Sequence, residues 1–371
     1  MKKVYKFIFM LTLIILILNS YIPIALADTT IMEHGKVISI LRNIPKPTEK
    51  YSFPGQIVEI EITSGKYKGQ IVEAYNIFSG NPYYDIHVSP GQRVILTLEE
   101  ENGKLKSANL SDIARDIPLL ILVILFLLTL IILGRIKGFK SLISLAFTII
   151  VIFTVMLPLI LKGFNPMLVT IILSAIITTV TLLLISGWNR KTLAAILGIL
   201  GGTTCAGLLA YIFGKAAMLT GLGTHEAQML GFIRDYELNF QGILFSSMLF
   251  GALGAVMDVG MSIASAIEEV YNANPLTTPR ELFKSGMNVG KDIMGTMANT
   301  LILAYTGSSL PLLLILVGYK PSFLKVINLD LIASEIIRAL TGSLGLFIAI
   351  PLTAAFSTWL IYQQILKKYY G

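Results

Sequence analysis

Seven apolar runs follow one another from Ile117 towards the end of the chain, and each is long enough to cross a bilayer as a helix. A helix needs about 20 residues to cross the hydrocarbon layer, where the backbone must satisfy its own hydrogen bonds. The sequence therefore predicts a polytopic α-helical membrane protein. The predicted spanning helices are 117–134, 141–161, 167–186, 192–213, 242–266, 293–318 and 331–362, the last long enough to tilt or to kink at Pro351.

Composition supports the membrane assignment. Apolar residues make up 54% of the 371-residue chain and charged residues 14%, which is wrong for a soluble protein. The formal net charge of +7 sits mainly in short loops between apolar runs, so it indicates topology and not a nucleic-acid partner. The lipid bilayer is the expected partner, and no nucleic acid is expected.

The N-terminal residues 1–27 have the three parts of a secretory signal: the basic start MKKVYK, a short apolar core, and Ala25-Leu26-Ala27 before Asp28. We predict a signal peptide or an uncleaved signal anchor. Either one exports the segment that follows.

Residues 28–116 differ in kind from the rest, because their apolar residues alternate as in strands. After the run KVISIL, the runs QIVEIEI and QIVEAYNI predict one hairpin with SGKYKGQ as its turn. The segment TLEEENGKLKSANL predicts a second hairpin with Asn102-Gly103 at its tip. We predict a small all-β barrel or sandwich outside the membrane. It serves either as a binding module or as a structural cap over the membrane part.

The distribution of basic residues predicts the same orientation. The loops on the side opposite the β-domain, together with the C-terminal tail, hold ten Lys and Arg residues, whereas the loops on its own side hold five. Cytoplasmic loops carry such an excess. We therefore predict a multi-pass cell-membrane protein with its β-domain outside the cytoplasm and its C-terminus inside.

Polar residues form a stripe within the fifth predicted span, GALGAVMDVGMSIASAIEEV (251–270). Asp258, Ser262, Ser265 and Glu269 recur at helical spacing, so they share one face. A carboxylate in the bilayer costs roughly 3 kcal/mol on insertion scales. Because Gly251, Gly254 and Gly260 allow another backbone to approach closely, the stripe should face protein or a water-filled cleft.

The next span repeats this pattern with Asp292, Thr296 and Asn299. Since the two helices are antiparallel neighbours, Asp258 and Asp292 should lie at similar depth and approach each other in a shared site open to the cytoplasm. Two such carboxylates share a proton or bind a cation, and which metal or ion they hold stays open. Purely structural roles are the alternative to binding: interhelical hydrogen bonding for the Ser, Thr and Asn side chains, and a helix-cap role for Asp292.

Two further features lie in the last two spans. Glu335 and Arg338 are three residues apart, as expected for an acid–base pair that neutralises itself or gates the outer face. The sequence Thr-Gly-Ser occurs at 306–308 and again at 341–343, and it predicts broken helical turns of the kind that transporters use for binding. Thr306 and Ser308 therefore join the predicted binding residues.

Signatures of several enzymes are missing from the sequence. The chain has one cysteine, Cys205, and its histidines His34, His87 and His225 lack metal-ligand spacing. Walker-type, HExxH and GxSxG motifs do not occur either. We expect no cofactor and no enzymatic activity.

The segments GALGAVMDVGMSIASAIEE and DIMGTMANTLILAYTGSSLPLLL resemble the YibE/F-like family of bacterial multipass membrane proteins. The resemblance extends to the layout of the chain, from the exported domain to the last helix. Its recognisable residues match here at Asp258, Ser262, Glu268, Asp292, Asn299, Thr306, Gly307 and Ser308. It implies the fold but brings no established substrate.

Three functions fit these observations. The first is a secondary transporter or permease for a small solute or ion, with Asp258 and Asp292 coupling to protons or cations. The second is a non-catalytic membrane component whose β-domain holds an envelope protein. The third is an intramembrane aspartyl hydrolase, against which stands the missing Gly-x-Gly-Asp context. A homo-oligomer is compatible with each of them.

Overall fold

The computed structural model describes residues 31–44, 53–81, 85–101, 104–233 and 237–370. The predicted signal at 1–27 lies outside these residues. The chain divides into two compact units, one ending at Ile132 and the other running on from Leu133. The sequence-based domain boundary, at residue 116, lies earlier, so the first turns of the first apolar helix group with the β-domain.

The first unit contains a closed five-stranded barrel with strand order β1-β2-β3-β5-β4. Its strands are β1 (Ile31–Ile44), β2 (Gly55–Ile62), β3 (Ile71–Ile77), β4 (Arg93–Glu101) and β5 (Lys104–Ile113). All neighbours pair antiparallel except β3 and β5, which are parallel. Both predicted hairpins, β2–β3 and β4–β5, are present, and Glu101 pairs with Lys104 across the predicted Asn-Gly turn.

Alternation along the strands fills the barrel. On β2, Val58, Ile60 and Ile62 are fully buried, while the intervening glutamates face outward. Val94, Leu96 and Leu98 on β4 complete the same core. The period of two in the sequence therefore determines which side chains enter the barrel. A five-stranded Greek-key barrel of this kind belongs to the OB-type architectures.

The remainder of the chain is helical. The helices are α1 (Asp116–Val151), continued by a π-helical turn (Ile152–Met156), α2 (Leu157–Leu161), α3 (Pro166–Ser186), α4 (Arg190–Ala216), α5 (His225–Leu230), α6 (Phe240–Ala273), α7 (Pro279–Ser308), α8 (Leu310–Tyr319), α9 (Phe323–Ile327) and α10 (Asp330–Tyr370).

Five helical stretches in the described residues are long and apolar enough to cross a membrane, or six if the bent pair α7–α8 counts as one span. The predicted number of seven is not confirmed. The difference lies in residues 116–161, where two predicted spans form one 46-residue helical stretch. The predicted loop at 135–140 is helical, and Arg135 alone departs from helical geometry, with φ 48° and ψ −127°.

The helical core is built on close contact between α4 and α10. A Cβ on Gly202 would lie 2.7 Å from the carbonyl oxygen of Gly345, and a Cβ on Gly345 would lie 2.5 Å from the Cβ of Ala206. Helix α6 packs against both with Val256, Val259 and Ile263 fully buried. The small residues bring these backbones together as in other membrane bundles. Helix α10 continues through Pro351 without a break in its helical assignment.

Candidate functional site

The exposed side of α6 is polar. Over this helix, which the structure describes in full, the exposed residues before Glu269 are Ser247, Gly251, Gly254, Asp258 and Ser262. Large apolar side chains on α6 are at least partly covered. A helix that faces lipid shows the opposite pattern, as α1 does with its exposed leucines and isoleucines. This side of α6 is therefore unsuited to lipid.

Helix α7 extends this polar surface. From residue 284 to residue 300 its exposed positions carry only polar residues or glycine, while Met287, Ile293 and Met297 pack on the core. We use the name polar face for two sets of residues, Ser247, Gly251, Gly254, Asp258 and Ser262 of α6 and Asn288, Lys291, Asp292, Gly295, Thr296, Asn299 and Thr300 of α7.

The register between the two helices places the carboxylates at similar depth. A Cβ on Gly286 would meet Ile267, and one on Gly290 would meet Ile263 at 3.4 Å. Continued along these antiparallel helices, this register sets residue 295 opposite Asp258. Asp292 is then displaced along the axis by about 4–5 Å. The register therefore agrees with the depth that the sequence predicts.

The hydroxyl groups of the polar face bond to their own helices. Ser262 donates to the carbonyl of Asp258 at 2.7 Å, Thr296 to that of Ile293 at 3.0 Å, and Ser308 to that of Tyr305 at 2.8 Å. For these three side chains interhelical hydrogen bonding is therefore not the role within the described chain, whereas the hydroxyl of Ser247 also accepts a hydrogen bond from Arg338 of α10. The side chains of Asp258, Asp292 and Asn299 have no hydrogen bond or ion pair to any described residue.

The predicted close approach along the α6 glycines holds in part. A Cβ on Gly260 would lie 2.5 Å from Ile199, and one on Gly251 would lie 2.9 Å from the hydroxyl of Tyr305 on α7. Gly254, however, faces open space, as does Gly295 on α7. The stripe with Asp258 is thus exposed in the single chain, and the expectation that it faces protein or a water-filled cleft stays a prediction.

Glu335 and Arg338 form the predicted pair, with 3.4 Å between the carboxylate oxygen and the guanidinium nitrogen. Arg338 also lies over the ring of Tyr305, 6.0 Å from its centroid, and donates to the hydroxyl of Ser247 at 3.4 Å. The Tyr305 hydroxyl, Glu335 Oε2 and Arg338 Nε are buried without a partner among the described residues. We use the name Arg338 cluster for Ser247, Tyr305, Glu335 and Arg338, which together have unused hydrogen-bonding capacity.

The sequence analysis missed two members of the Arg338 cluster, Ser247 and Tyr305. Ser247 lies eleven residues before Asp258 on the same helical face, so the helical period offered a signal for it. Tyr305 directly precedes the Thr-Gly-Ser segment, but only the tertiary structure brings it to Arg338.

The two Thr-Gly-Ser segments behave differently. The first ends α7 at Ser308, and α8 continues at an angle of 66° to it. Thr306 there lines a cavity of about 360 Å³ together with Tyr305 and Glu335. The second segment, 341–343, is helical, because Thr341 and Ser343 donate to carbonyls of α10 itself. The first segment is closely followed by Pro311, in the first turn of α8, and the second has no proline within three residues, so Pro311 contributes to a break that Thr-Gly-Ser alone does not produce.

Acidic, cysteine and histidine side chains do not gather into a metal centre in the described part of the chain, where no group of three or more could hold an ion. Asp258 and Asp292 remain two isolated carboxylates. The site is thus defined by carboxylates, hydroxyls, an amide and glycines on one surface of two apolar helices.

Fold and site together define a membrane-associated helical protein with an N-terminal β-barrel domain. Comparison with protein families gives the narrower assignment: residues 122–363 match the YibE/F-like protein, and residues 46–113 match the YibE/F family N-terminal domain. The chain belongs to the YibE/F-like family. Comparisons with curated proteins and with solved structures give no match.

Proposed function

We propose that this protein is a secondary permease for a small solute or ion, and that the polar face forms one wall of its pathway. The observation that supports this most is the exposed surface of α6 and α7, where Asp258 and Asp292 lie without partners at similar depth. Lipid chains cannot solvate carboxylates, so such a surface serves a water-filled or protein-covered space.

In this proposal Asp258 and Asp292 bind the coupling proton or cation, with Ser262, Thr296 and Asn299 beside them. In the register of the two helices, Gly254 of α6 lies opposite Asn299 and Gly295 of α7 lies opposite Asp258. A Cβ added to either glycine would have no atom within 4 Å. They leave room for an ion or solute at the side chains that would bind it.

The Arg338 cluster, which in the proposed topology lies towards the outer face, closes the end of the pathway opposite the two carboxylates. Ser247 lies eleven residues from Asp258 along α6, or about 16 Å. The pair Glu335–Arg338, with Tyr305, stands at that level, and Thr306 and Ser308 lie at the adjoining end of α7. Since these polar atoms lack full hydrogen bonding, rearrangement of this cluster gates access without breaking a satisfied network.

A second copy of the chain covers the polar face. The face carries both Lys291 and Asp292, so two copies related by a two-fold axis can pair opposite charges across the interface. The pathway then runs between the two copies. In such a homo-oligomer the carboxylates of Asp258 and Asp292 are shielded from lipid, whereas in the single chain they are exposed.

The proposed topology has seven spans after the export signal, with the barrel outside and the C-terminus inside. Residues 116–161 make a helical stretch of about 69 Å, more than twice the hydrocarbon thickness. The non-helical geometry at Arg135 supports a separation of this stretch into two spans near that residue. The ten-to-five bias of Lys and Arg supports the orientation.

Flux in proteoliposomes tests this function. Full-length protein is reconstituted with an internal pH dye, and uptake of protons and of ²²Na⁺ is driven by a potassium diffusion potential. Asp258→Asn should lower the flux at least tenfold while the melting temperature is retained, because the carboxylate has no structural partner. Ser265→Ala, on the same helix and half-buried, is the matched control and should keep most of the flux.

Dicyclohexylcarbodiimide, which modifies protonated carboxyl groups in apolar surroundings, gives a readout that needs no substrate. Asp258 should be labelled at neutral pH, and labelling should fall when the coupling cation is added. Parental flux in Asp258→Asn, or labelling of Asp258 that neither pH nor cations change, would show that Asp258 does not couple transport.

A further inference from the structure

Another cavity, with several polar and charged lining residues, lies at the end of the helical unit where α4 begins. Its volume is about 520 Å³, and it lies between the start of α4 and the C-terminal parts of α6 and α10. Trp188, Arg190, Lys191, Glu268 and Ser357 are among its lining residues. Glu268 is ten residues beyond Asp258 on α6, about 15 Å along the axis, so the cavity is separate from the carboxylates of the polar face.

The start of α4 supplies hydrogen-bond donors to this cavity. Asn189 caps the helix, since its side chain accepts from the backbone N–H of Thr192 at 2.8 Å and its carbonyl accepts from Leu193 at 3.1 Å. The N–H groups of Arg190 and Lys191, the first two of the helix, remain for a ligand. The N-terminus of a 27-residue helix carries partial positive charge.

Two cationic side chains reinforce this positive end. Lys191 pairs with Glu268 at 3.1 Å, whereas Arg190 has no ion pair or hydrogen bond to any described residue. One carboxylate therefore balances one of the two cations. The remaining guanidinium and the helix end favour an anion in the cavity.

Ser357 gives an independent indication of a ligand. It is 3% exposed, lines the cavity, and its hydroxyl has no hydrogen-bond partner among the described residues. The other serines of α10 bond to their own helix, as Ser343 does with the carbonyl of Ala339 at 2.8 Å. The hydroxyls of Thr353 and Thr358 are also buried without a described partner, but of the three only Ser357 lines the cavity. An unpaired buried hydroxyl destabilises the folded protein, and a bound hydrogen-bond acceptor removes that penalty.

We propose that this cavity binds a phosphate group. A tetrahedral oxyanion matches the donors, because Arg190 offers a planar fork, Lys191 a point charge, Ser357 a hydroxyl, and the helix end two N–H groups. The phosphate belongs either to the headgroup of an anionic lipid or to a soluble phosphate. Trp188, 68% exposed at the cavity, is the type of side chain that anchors at a membrane interface.

The two tryptophans of the chain allow a direct test. In full-length Trp359→Phe protein the remaining Trp188 reports on the cavity, and Trp359 is exposed enough to replace. One arm titrates inorganic phosphate into protein in phosphatidylcholine nanodiscs. The other arm varies the phosphatidylglycerol content of the nanodiscs. We expect a saturable change in Trp188 fluorescence in one arm, which identifies the source of the phosphate.

Variants assign the response to the cavity. Arg190→Gln should weaken binding at least tenfold and Ser357→Ala about three- to tenfold, while Lys215→Gln, at the opposite end of α4, should leave it unchanged. Ser357→Ala changes little in shape, so it serves if Arg190→Gln does not fold. A response that sodium chloride reproduces at equal ionic strength, equal affinity in Ser357→Ala, or no saturable response in either arm would overturn the proposal.

Discussion

Asp85 organises one loop of the barrel through its carboxylate. It accepts hydrogen bonds from the backbone N–H of Ser79 and from that of Gly80, the latter at 2.8 Å, and from the hydroxyl of Ser79 at 2.9 Å. Loss of hydration raises the pKa of Asp85, but the bonds from Ser79 and Gly80 outweigh this effect. The pKa therefore lies below its ordinary value of 3.8.

This lowered pKa predicts acid sensitivity of the loop. The stabilising contribution is complete above pH 3.8 and is lost as the pH falls through the lower pKa of the folded protein. Hydrogen exchange at Ser79 and Gly80, corrected for intrinsic rates, should lose protection over that range. Asp85→Asn should show reduced protection already at neutral pH. Asp112→Asn, elsewhere in the barrel, is the control, and equal protection in all three proteins would contradict the prediction.

At the same scale, the sequence identified the polar residues of the membrane helices but not the direction in which they point. Spacing alone placed Asp258 and Ser262 on one face. Apolar residues cover both the core side and the lipid side of a membrane helix, so hydropathy cannot distinguish an inward stripe from an outward one. Only packing, for example of Val259 and Ile263 on the core, resolves this.

At the scale of elements, glycines have two different roles. Gly345 brings α10 against α4, where any side chain would collide with Ala206 and with the backbone of Gly202. Gly254 on α6 has no neighbour at all within 4 Å of its missing Cβ. The first glycine is required by packing, whereas the second leaves free space on the polar face.

These roles predict opposite effects of the same substitution. Gly345→Ala should destabilise the protein by roughly 1–3 kcal/mol through overpacking. Gly254→Ala should be neutral or stabilising by up to about 1 kcal/mol, because alanine is the better helix former. Thermal unfolding in detergent measures both, with scans at several rates. A lower midpoint for Gly254→Ala than for Gly345→Ala would refute this assignment.

The elements themselves were predictable to different degrees. Turn residues predicted both barrel hairpins, Asn102-Gly103 for β4–β5 and the glycine-containing turn SGKYKGQ for β2–β3. The bend after Ser308 was expected from Thr-Gly-Ser, yet Thr341-Gly342-Ser343 remains helical and α10 also continues through Pro351. Neither feature alone determines a break, and the bend occurs where Thr-Gly-Ser and Pro311 come together. The helical loop at 135–140 could not be foreseen, since basic residues such as Lys137 are themselves good helix formers.

For the molecule as a whole, orientation is the property most open to test. With the barrel outside, protease added to spheroplasts should remove the β-domain and leave the helical part protected. A tag after Gly371 should be cleaved only after lysis. Protection of the barrel in intact spheroplasts would reverse the proposed topology, and a cytoplasmic marker protein controls for leakage.

The bend between α7 and α8 exposes backbone charge inside an apolar stretch. A helix carries about half a negative elementary charge at its C-terminus. The last carbonyls of α7, before Ser309, therefore add negative potential beside the cavity of about 360 Å³ that Thr306 and Glu335 line. Because this charge comes from the peptide groups, no titration and no side-chain substitution removes it. The first N–H groups of α8, which begins at Leu310, bring the opposite partial charge to the same bend. The fold therefore fixes two opposite helix-end charges side by side next to this cavity at any pH.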